Sequence, residues 1–221
     1  MKVYFIAGLG ADCRVFHHIR LPEGFEAVYL DWITPLKDES LHDYALRLAS
    51  RIDSSGPFAM AGLSMGGMIA IEIAKELNPV TTILISSIPG SKHLPGYYKA
   101  AGKLKLYRMV PVSMLKSASF LKRYFTAEKN EDKVLLRQMI ADADPGFITW
   151  AMGAIVNWQC ENFEGPYVHI HGNKDLILPV RYTKPTHVIS TADHTMILTR
   201  PDEINNIIGE TLLTSVELQP K

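Results

Sequence analysis

Residues 57–67, Pro-Phe-Ala-Met-Ala-Gly-Leu-Ser-Met-Gly-Gly, run from an apolar strand through Gly62-x-Ser64-x-Gly66 directly into a helical pattern. That order of strand, sharp turn and helix can make a serine reactive. A residue held in such a turn takes strained backbone angles, so small residues two positions before and after it are needed to avoid backbone clashes. The turn lifts the Ser64 hydroxyl away from its own backbone, and the following helix aims its positive N-terminal end at the same place. A nucleophile and an anion site then coincide, which is what acyl transfer through a tetrahedral oxyanion requires. The pentapeptide alone is weak, since with Gly and Ser each near 7% of residues it arises by chance in roughly one chain in fifteen of this length. Its weight comes from the flanking strand and helix, and from two later segments that bring an acid and then a histidine in the order Ser, Asp, His.

On these residues the sequence resembles the α/β-hydrolase family, over nearly the whole chain except a long interval before residue 166. It departs from the family at the N-terminus, where the usual first two antiparallel strands are missing. The stretch 169–179, His-Ile-His-Gly-Asn-Lys-Asp-Leu-Ile-Leu-Pro, looks like the family's acid-bearing turn. The resemblance implies that Asp175 holds the imidazole in its correct tautomer and stabilises the imidazolium. Taken alone, Asp175 could merely close a turn. Ala192-Asp193-His194 follows the last strand, and the resemblance implies that His194 is the general base, whereas a lone loop histidine could be a solvated surface group. Asp193 is adjacent, but successive side chains of an extended segment point to opposite sides, so Asp175 is the expected partner. The loop Ala7-Gly8-Leu9-Gly10-Ala11-Asp12 resembles the family's His-Gly-x-Gly loop, with Ala7 in place of the histidine. It implies an oxyanion hole built from the backbone N–H groups of Leu9 and Met65, and a backbone donor survives that replacement. No metal or organic cofactor is required by this chemistry.

Positioning these groups falls to short apolar runs that alternate with helical patterns, the signature of a parallel sheet wrapped by helices on both faces. The runs are Val3 to Ala7, Glu26 to Leu30, Phe58 to Ala61, Thr82 to Ser86, Tyr167 to Ile170 and Thr186 to Ile189. They predict an α/β fold with a mostly parallel six-stranded sheet. Helices are expected over about Leu41 to Ile52, Met65 to Leu77 and Pro201 to Leu213, the last opened by its proline. From Pro89 to Gly165 no convincing strand appears, and a structureless loop that long is improbable in a compact domain. Residues 89–165 are therefore expected to form a helical cap inserted in a core of residues 1–88 and 166–221. Within it Leu115, Ala118, Leu121 and Phe125 share one helix face, as do Phe147, Ala151, Ala154, Ile155 and Trp158.

Hydrophobic residues at 47% and charged ones at 21% suit a soluble fold with a substantial core, and disordered or fibrous classes drop out. Lys plus Arg and Asp plus Glu both number 23, so charge gives no reason to expect nucleic acid or an anionic membrane as partner. Cys13 and Cys160 match neither a metal-ligand spacing nor a disulfide scaffold and read as free thiols of a reducing cytoplasm. The apolar start is short for a leader peptide, and no segment is long enough to span a membrane.

Several further residues are weighed against plainer roles. His17 and His18 read as surface residues, and Arg14 as a surface ion pair rather than a substrate clamp. His169 and His171 alternate in one strand, but with no third ligand suggested they read as structural rather than metal-binding. Lys92, Lys99, Lys103, Lys105, Arg108, Lys116, Lys122 and Arg123 occur with no acidic residue between them. They are solvated helix faces or a rim that steers anionic substrates. Met109, Met114, Met139, Met152, Trp150 and Trp158 either line an apolar pocket or belong to the core. The expected activity is hydrolysis of small or medium acyl esters by Ser64, His194 and Asp175. A lyase using the same triad, and a receptor with negligible turnover, are the alternatives. Oligomeric state is not legible.

Overall fold

The computed structural model describes residues 1–117, 129–161 and 163–217. One sheet holds β1 (Lys2–Ile6), β2 (Glu26–Tyr29), β3 (Phe58–Leu63), β4 (Thr82–Ile85), β5 (Tyr167–Gly172) and β6 (His187–Ile189). Their order is β2-β1-β3-β4-β5-β6, and every neighbouring pair is parallel, so the sheet is wholly rather than mostly parallel. The six apolar runs of the sequence fall on these six strands.

A parallel sheet must be covered on both faces, and alternation along each strand feeds two separate cores. Tyr4 and Ile6 of β1 join Phe58 and Met60 of β3 on one face, while Val3 and Phe5 join Ala59 and Ala61 on the other. The first face is covered by α1 (Leu41–Ala49) and α2 (Met65–Leu77), through Leu41, Tyr44 and Leu48 and through Met68, Ile69 and Ile73. The second is covered by Val15 and Phe16 and by the helix Pro201–Glu217, whose Ile204, Ile208 and Leu212 recur every four residues on one stripe.

Local chemistry sets the helix ends. Ser40 caps α1: its Oγ accepts from the Asp43 amide at 3.0 Å and donates to the Asp43 carboxylate at 2.6 Å. The regular helix ends at Ala49, short of Ile52, because the Arg51 and Ile52 amides bond three residues back and tighten the turn. Asn78 stops α2 in the left-handed region at φ 48°, with its amide on the Ala74 carbonyl. Pro201 opens the final helix, with Asp202 and Glu203 in its first turn.

Between β4 and β5 the described residues form the helices Gly96–Lys103, Val112–Leu115, Asn130–Asp142 and Pro145–Val156 and no strand. Asp144 caps the last of these, accepting from the Phe147 amide at 2.6 Å. Phe147, Ala151 and Ala154 are buried along it, Ile155 packs alongside them, and Trp158 is buried just beyond its end. Of the other expected stripe, Leu115 ends Val112–Leu115, and Ala118, Leu121 and Phe125 lie outside the described residues. No helix among the described residues is long and apolar enough to cross a membrane.

Candidate active site

Ser64 is the one residue between β3 and α2, and it sits at φ 53° and ψ −118°, a conformation rarely adopted by a side chain with a Cβ. Three contacts hold it there. Its amide donates to the Ile85 carbonyl at 2.9 Å, and its carbonyl accepts from the Gly67 amide at 3.0 Å and from Ser87 Oγ at 2.6 Å. The two flanking glycines are a steric necessity: a Cβ on Gly62 would meet the Gly66 carbonyl oxygen at 2.3 Å, and one on Gly66 would meet the Ile6 and Ala7 carbonyl oxygens at 2.2 Å. The same contacts press the end of β1 against the start of α2.

His194 lies in the loop after β6, with Nε2 2.9 Å from Ser64 Oγ and Nδ1 2.7 Å from Asp175 Oδ2. Because a carboxylate only accepts, Nδ1 carries the proton and Nε2 offers its lone pair to the serine hydroxyl. Asp175 itself is buried in the turn after β5, where its Oδ1 accepts from the Ile177 and Leu178 amides, each at 2.8 Å. Burial pushes its carboxyl up, but the facing His194 and the Leu178 amide outweigh that and hold it below the usual range. Asp193 accepts from the Thr195 amide and hydroxyl at 2.9 and 2.7 Å. The segment around it is turn and coil rather than strand, so what occupies Asp193 is this local turn and not strand alternation.

The loop after β1 packs on the serine turn: a Cβ on Gly8 would lie 3.3 Å from Ser64 Cβ. Gly10 takes φ 79°, the Ala11 amide closes a turn onto the Gly8 carbonyl at 3.0 Å, and Trp32 Nε1 anchors the Ala11 carbonyl at 2.8 Å. Leu9 rides on this braced loop. Met65 is the first residue of α2, where an N–H has no acceptor within its own helix. A cleft of about 300 Å³ adjoins the loop, lined by Gly10, Ala11, Trp32, Met139 and Phe147 among others. A larger one of about 1130 Å³ lies between residues 34–42 and 144–159, and neither Ser64 nor His194 lines either cleft. Size is therefore a poor guide here, and hydrogen-bonded chemistry the better one.

Arg14 pairs with Asp12 and Asp142, at 2.6 and 2.8 Å, which raises its already high pKa and ties the loop to Asn130–Asp142. The methionines and tryptophans do not converge on one pocket. Met139 and Trp158 are buried in different cores, Met109 and Met114 are exposed, and the indoles of Trp150 and Trp158 are held by the Glu39 carbonyl and Glu72. Arg108 borders the larger cleft beside Asp38, Glu39 and Asp144, so charge there is mixed.

Three features are invisible to motif reading. Ser87 clamps the serine carbonyl. Glu72, fully buried, accepts from His42, Lys75 and Trp158 at 2.7 to 2.9 Å. Burial raises its pKa, but those bonds outweigh it and leave the carboxyl low. Behind Asp175 runs a buried chain in which His171 Nε2 donates to the Leu178 carbonyl at 2.7 Å and His169 Nε2 donates to His171 Nδ1 at 3.0 Å. Both rings are thereby committed as neutral groups, and burial lowers both pKa values, His169 to about 3. An acidic residue four positions after paired histidines was the available signal, but it does not specify this arrangement.

A family model described as a thioesterase domain matches residues 34–86, which include the serine turn. No curated protein matches the chain in sequence. Among solved structures, an esterase (EaEST) from Exiguobacterium antarcticum is similar with a TM-score of 0.72 and 18% identity over 98% of this chain and 92% of that one. A thermophilic esterase from Thermogutta terrifontis with malate bound gives 0.69 and 19% over 97% and 90%, and MenH from S. aureus gives 0.70 and 17% over 98% and 93%. Superposition this complete at identities this low speaks for architecture, and the architecture of this chain is the α/β-hydrolase fold.

Proposed function

We propose that the protein is a serine hydrolase that cleaves small or medium acyl esters through an acyl-enzyme intermediate. The carrying observation is the unbroken hydrogen-bond line from Ser64 Oγ through His194 to Asp175, at 2.9 and 2.7 Å. His194 Nε2 takes the Ser64 proton as Oγ attacks the acyl carbon, and Asp175 orients and stabilises the imidazolium. The Leu9 and Met65 amides hold the oxyanion. His194 then protonates the leaving alcohol or thiol, and water activated by the same nitrogen releases the acid and restores Ser64. None of these steps calls for a cofactor.

The division into a core of residues 1–88 and 166–221 with a cap of residues 89–165 belongs to the same proposal. It is supported by the run of helices between β4 and β5 and by the ties from Asp142 to Arg14 and from Trp158 to Glu72. A reducing cytoplasm suits the two free thiols, Cys13 and Cys160.

A fluorophosphonate is expected to label one site per chain, with labelling lost in Ser64→Ala. Labelling that persists in that variant overturns the assignment. Turnover of aryl esters and aryl thioesters, with products identified as acid plus alcohol or thiol, separates hydrolysis from elimination; binding without turnover marks a receptor.

A further inference from the structure

Away from the serine, the turn that follows the Leu9 loop meets the first turn of the helix Asn130–Asp142. His17 Nε2 and His18 Nε2 each lie 3.1 Å from the same oxygen, Asp132 Oδ1. The two rings are tilted by 40° to each other with centroids 3.8 Å apart, and the three nitrogen and oxygen atoms all fall within 4.8 Å of one another. The Asp132 side chain is only 3% accessible, while His17 and His18 keep 37% and 21%, so the cluster has a buried anion at its base and an opening to solvent.

The second nitrogen of His17 makes this arrangement chemically demanding. His17 Nδ1 lies 3.0 Å from the Arg14 carbonyl oxygen, so both nitrogens of one ring have an oxygen close by. A neutral imidazole has a single N–H. With Nδ1–H given to the carbonyl, Nε2 is left without a proton 3.1 Å from a carboxylate oxygen, an approach that a cation shared between the two atoms would relieve. A metal ion serves both histidines and the carboxylate at once. A ligating histidine commonly gives its other N–H to a backbone carbonyl, which fixes the tautomer and turns the ring. His17 has that outer bond. With metal–ligand bonds of about 2.0 to 2.1 Å, neighbouring ligands of a tetrahedral ion stand about 3.3 Å apart, close to the 3.1 Å between each Nε2 and Oδ1.

The geometry points to a binding site for a divalent transition-metal ion, of the Zn²⁺ type, held by His17 Nε2, His18 Nε2 and Asp132 Oδ1. Solvent completes the coordination from the open side. Two imidazoles and one carboxylate select zinc and its neighbours over calcium or magnesium, which prefer all-oxygen sites. His17 and His18 follow the Leu9 loop, whereas Asp132 belongs to the helical segment between β4 and β5. A bound ion would fasten that segment to the sheet beside the Arg14–Asp142 pair.

The test uses the full chain, stripped of metal with a chelator and titrated with Zn²⁺ alone by calorimetry, with retained zinc counted after gel filtration. One zinc per chain is expected at micromolar free metal. His17→Gln and His18→Gln, both near the surface, should each weaken binding tenfold or more with circular dichroism unchanged, and Asp132→Asn should do the same. Cobalt in place of zinc should give visible ligand-field bands that His18→Gln abolishes. Ser64→Ala should bind zinc as the parent does, which separates this site from the hydrolase reading. Failure of the parent chain to retain zinc overturns the proposal, as does binding of undiminished strength in both histidine variants.

Discussion

Two aspartates compete for His194 by position, Asp193 beside it in sequence and Asp175 beside it in space. Asp175 reaches Nδ1 at 2.7 Å, while Asp193 is engaged by the Thr195 amide and hydroxyl. If Asp175 orients the proposed base, Asp175→Asn should favour the wrong tautomer and lower kcat by several orders of magnitude, up to about 10⁴ as in trypsin-type triads. The change is nearly isosteric, so circular dichroism should be preserved. Asp193→Asn should cost less than about tenfold, or under roughly 1.4 kcal/mol of barrier. Measuring kcat of both variants on one activated ester decides the matter, and a silent Asp175→Asn beside a crippled Asp193→Asn would reassign the acid. Ser64 was legible because its strained turn admits only glycine at 62 and 66, a constraint written in residue types. The bracing of Asp175 by Leu178, His171 and His169 was not, because those hydrogen bonds depend on where the turn after β5 folds back.

The elements that carry Asp175 and His194 are stitched together at one glycine. Gly172 ends β5, and a Cβ there would meet the Ala192 carbonyl oxygen at 2.3 Å, two residues before His194. The Lys174 amide bonds the same carbonyl at 2.9 Å, and Asn173 Oδ1 takes the Thr191 amide at 2.8 Å. Gly172→Ala should therefore push the His194 loop outward, destabilise the fold by about 1–3 kcal/mol and lower kcat more than it raises KM. Gly209, inside the helix Pro201–Glu217, is the contrast, since a Cβ there meets only Pro22 Cγ at 3.5 Å, an ordinary contact. Gly209→Ala should stabilise by about 0.5–1 kcal/mol with kcat unchanged. Thermal melts and kcat on the two variants distinguish a glycine required by packing from one that is not. The central strands β1, β3 and β4 were readable because buried parallel strands tend to be near-continuous apolar runs, whereas β2 and β6 are partly exposed and β5 carries two buried histidines. Strand ends and the end of α1 shifted because local turns, not apolar content, stop an element. The methionines and tryptophans between β4 and β5 stayed undecided between pocket and core, since apolar type alone cannot distinguish a pocket wall from a core or, for Trp158, from a donor to buried Glu72.

At the scale of the whole molecule, acid should be the weak flank of stability. His169 and His171 are buried as neutral rings with lowered pKa values, about 3 for His169, whereas in the unfolded chain each binds a proton near pH 6.5. The unfolded state therefore holds more protons throughout that window, and stability falls as pH drops below about 6.5. For His169 the slope approaches about 1.4 kcal/mol per pH unit, or roughly 2 kcal/mol between pH 7 and pH 5, and His171 adds a loss of the same sign. Asp175, held low in the fold, adds a loss of the same sign only below the ordinary carboxylate range. Denaturant melts from pH 7.5 to 4.5 should show this slope, and His169→Gln should flatten it; an unchanged slope would place the acid sensitivity elsewhere. The strand order carries a separate consequence for the order in which the protein becomes competent. β2, β1, β3 and β4 are contiguous in the sheet and all precede residue 86, and they bring Ser64 together with the Leu9 loop. Asp175 and His194 arrive only with β5 and β6, which join as one edge through the β4–β5 pairing. If Ser64 is the nucleophile proposed above, a nascent chain emerging from the ribosome would carry it long before Asp175 and His194, and synthesis itself would keep the serine inert until the last quarter of the chain is made.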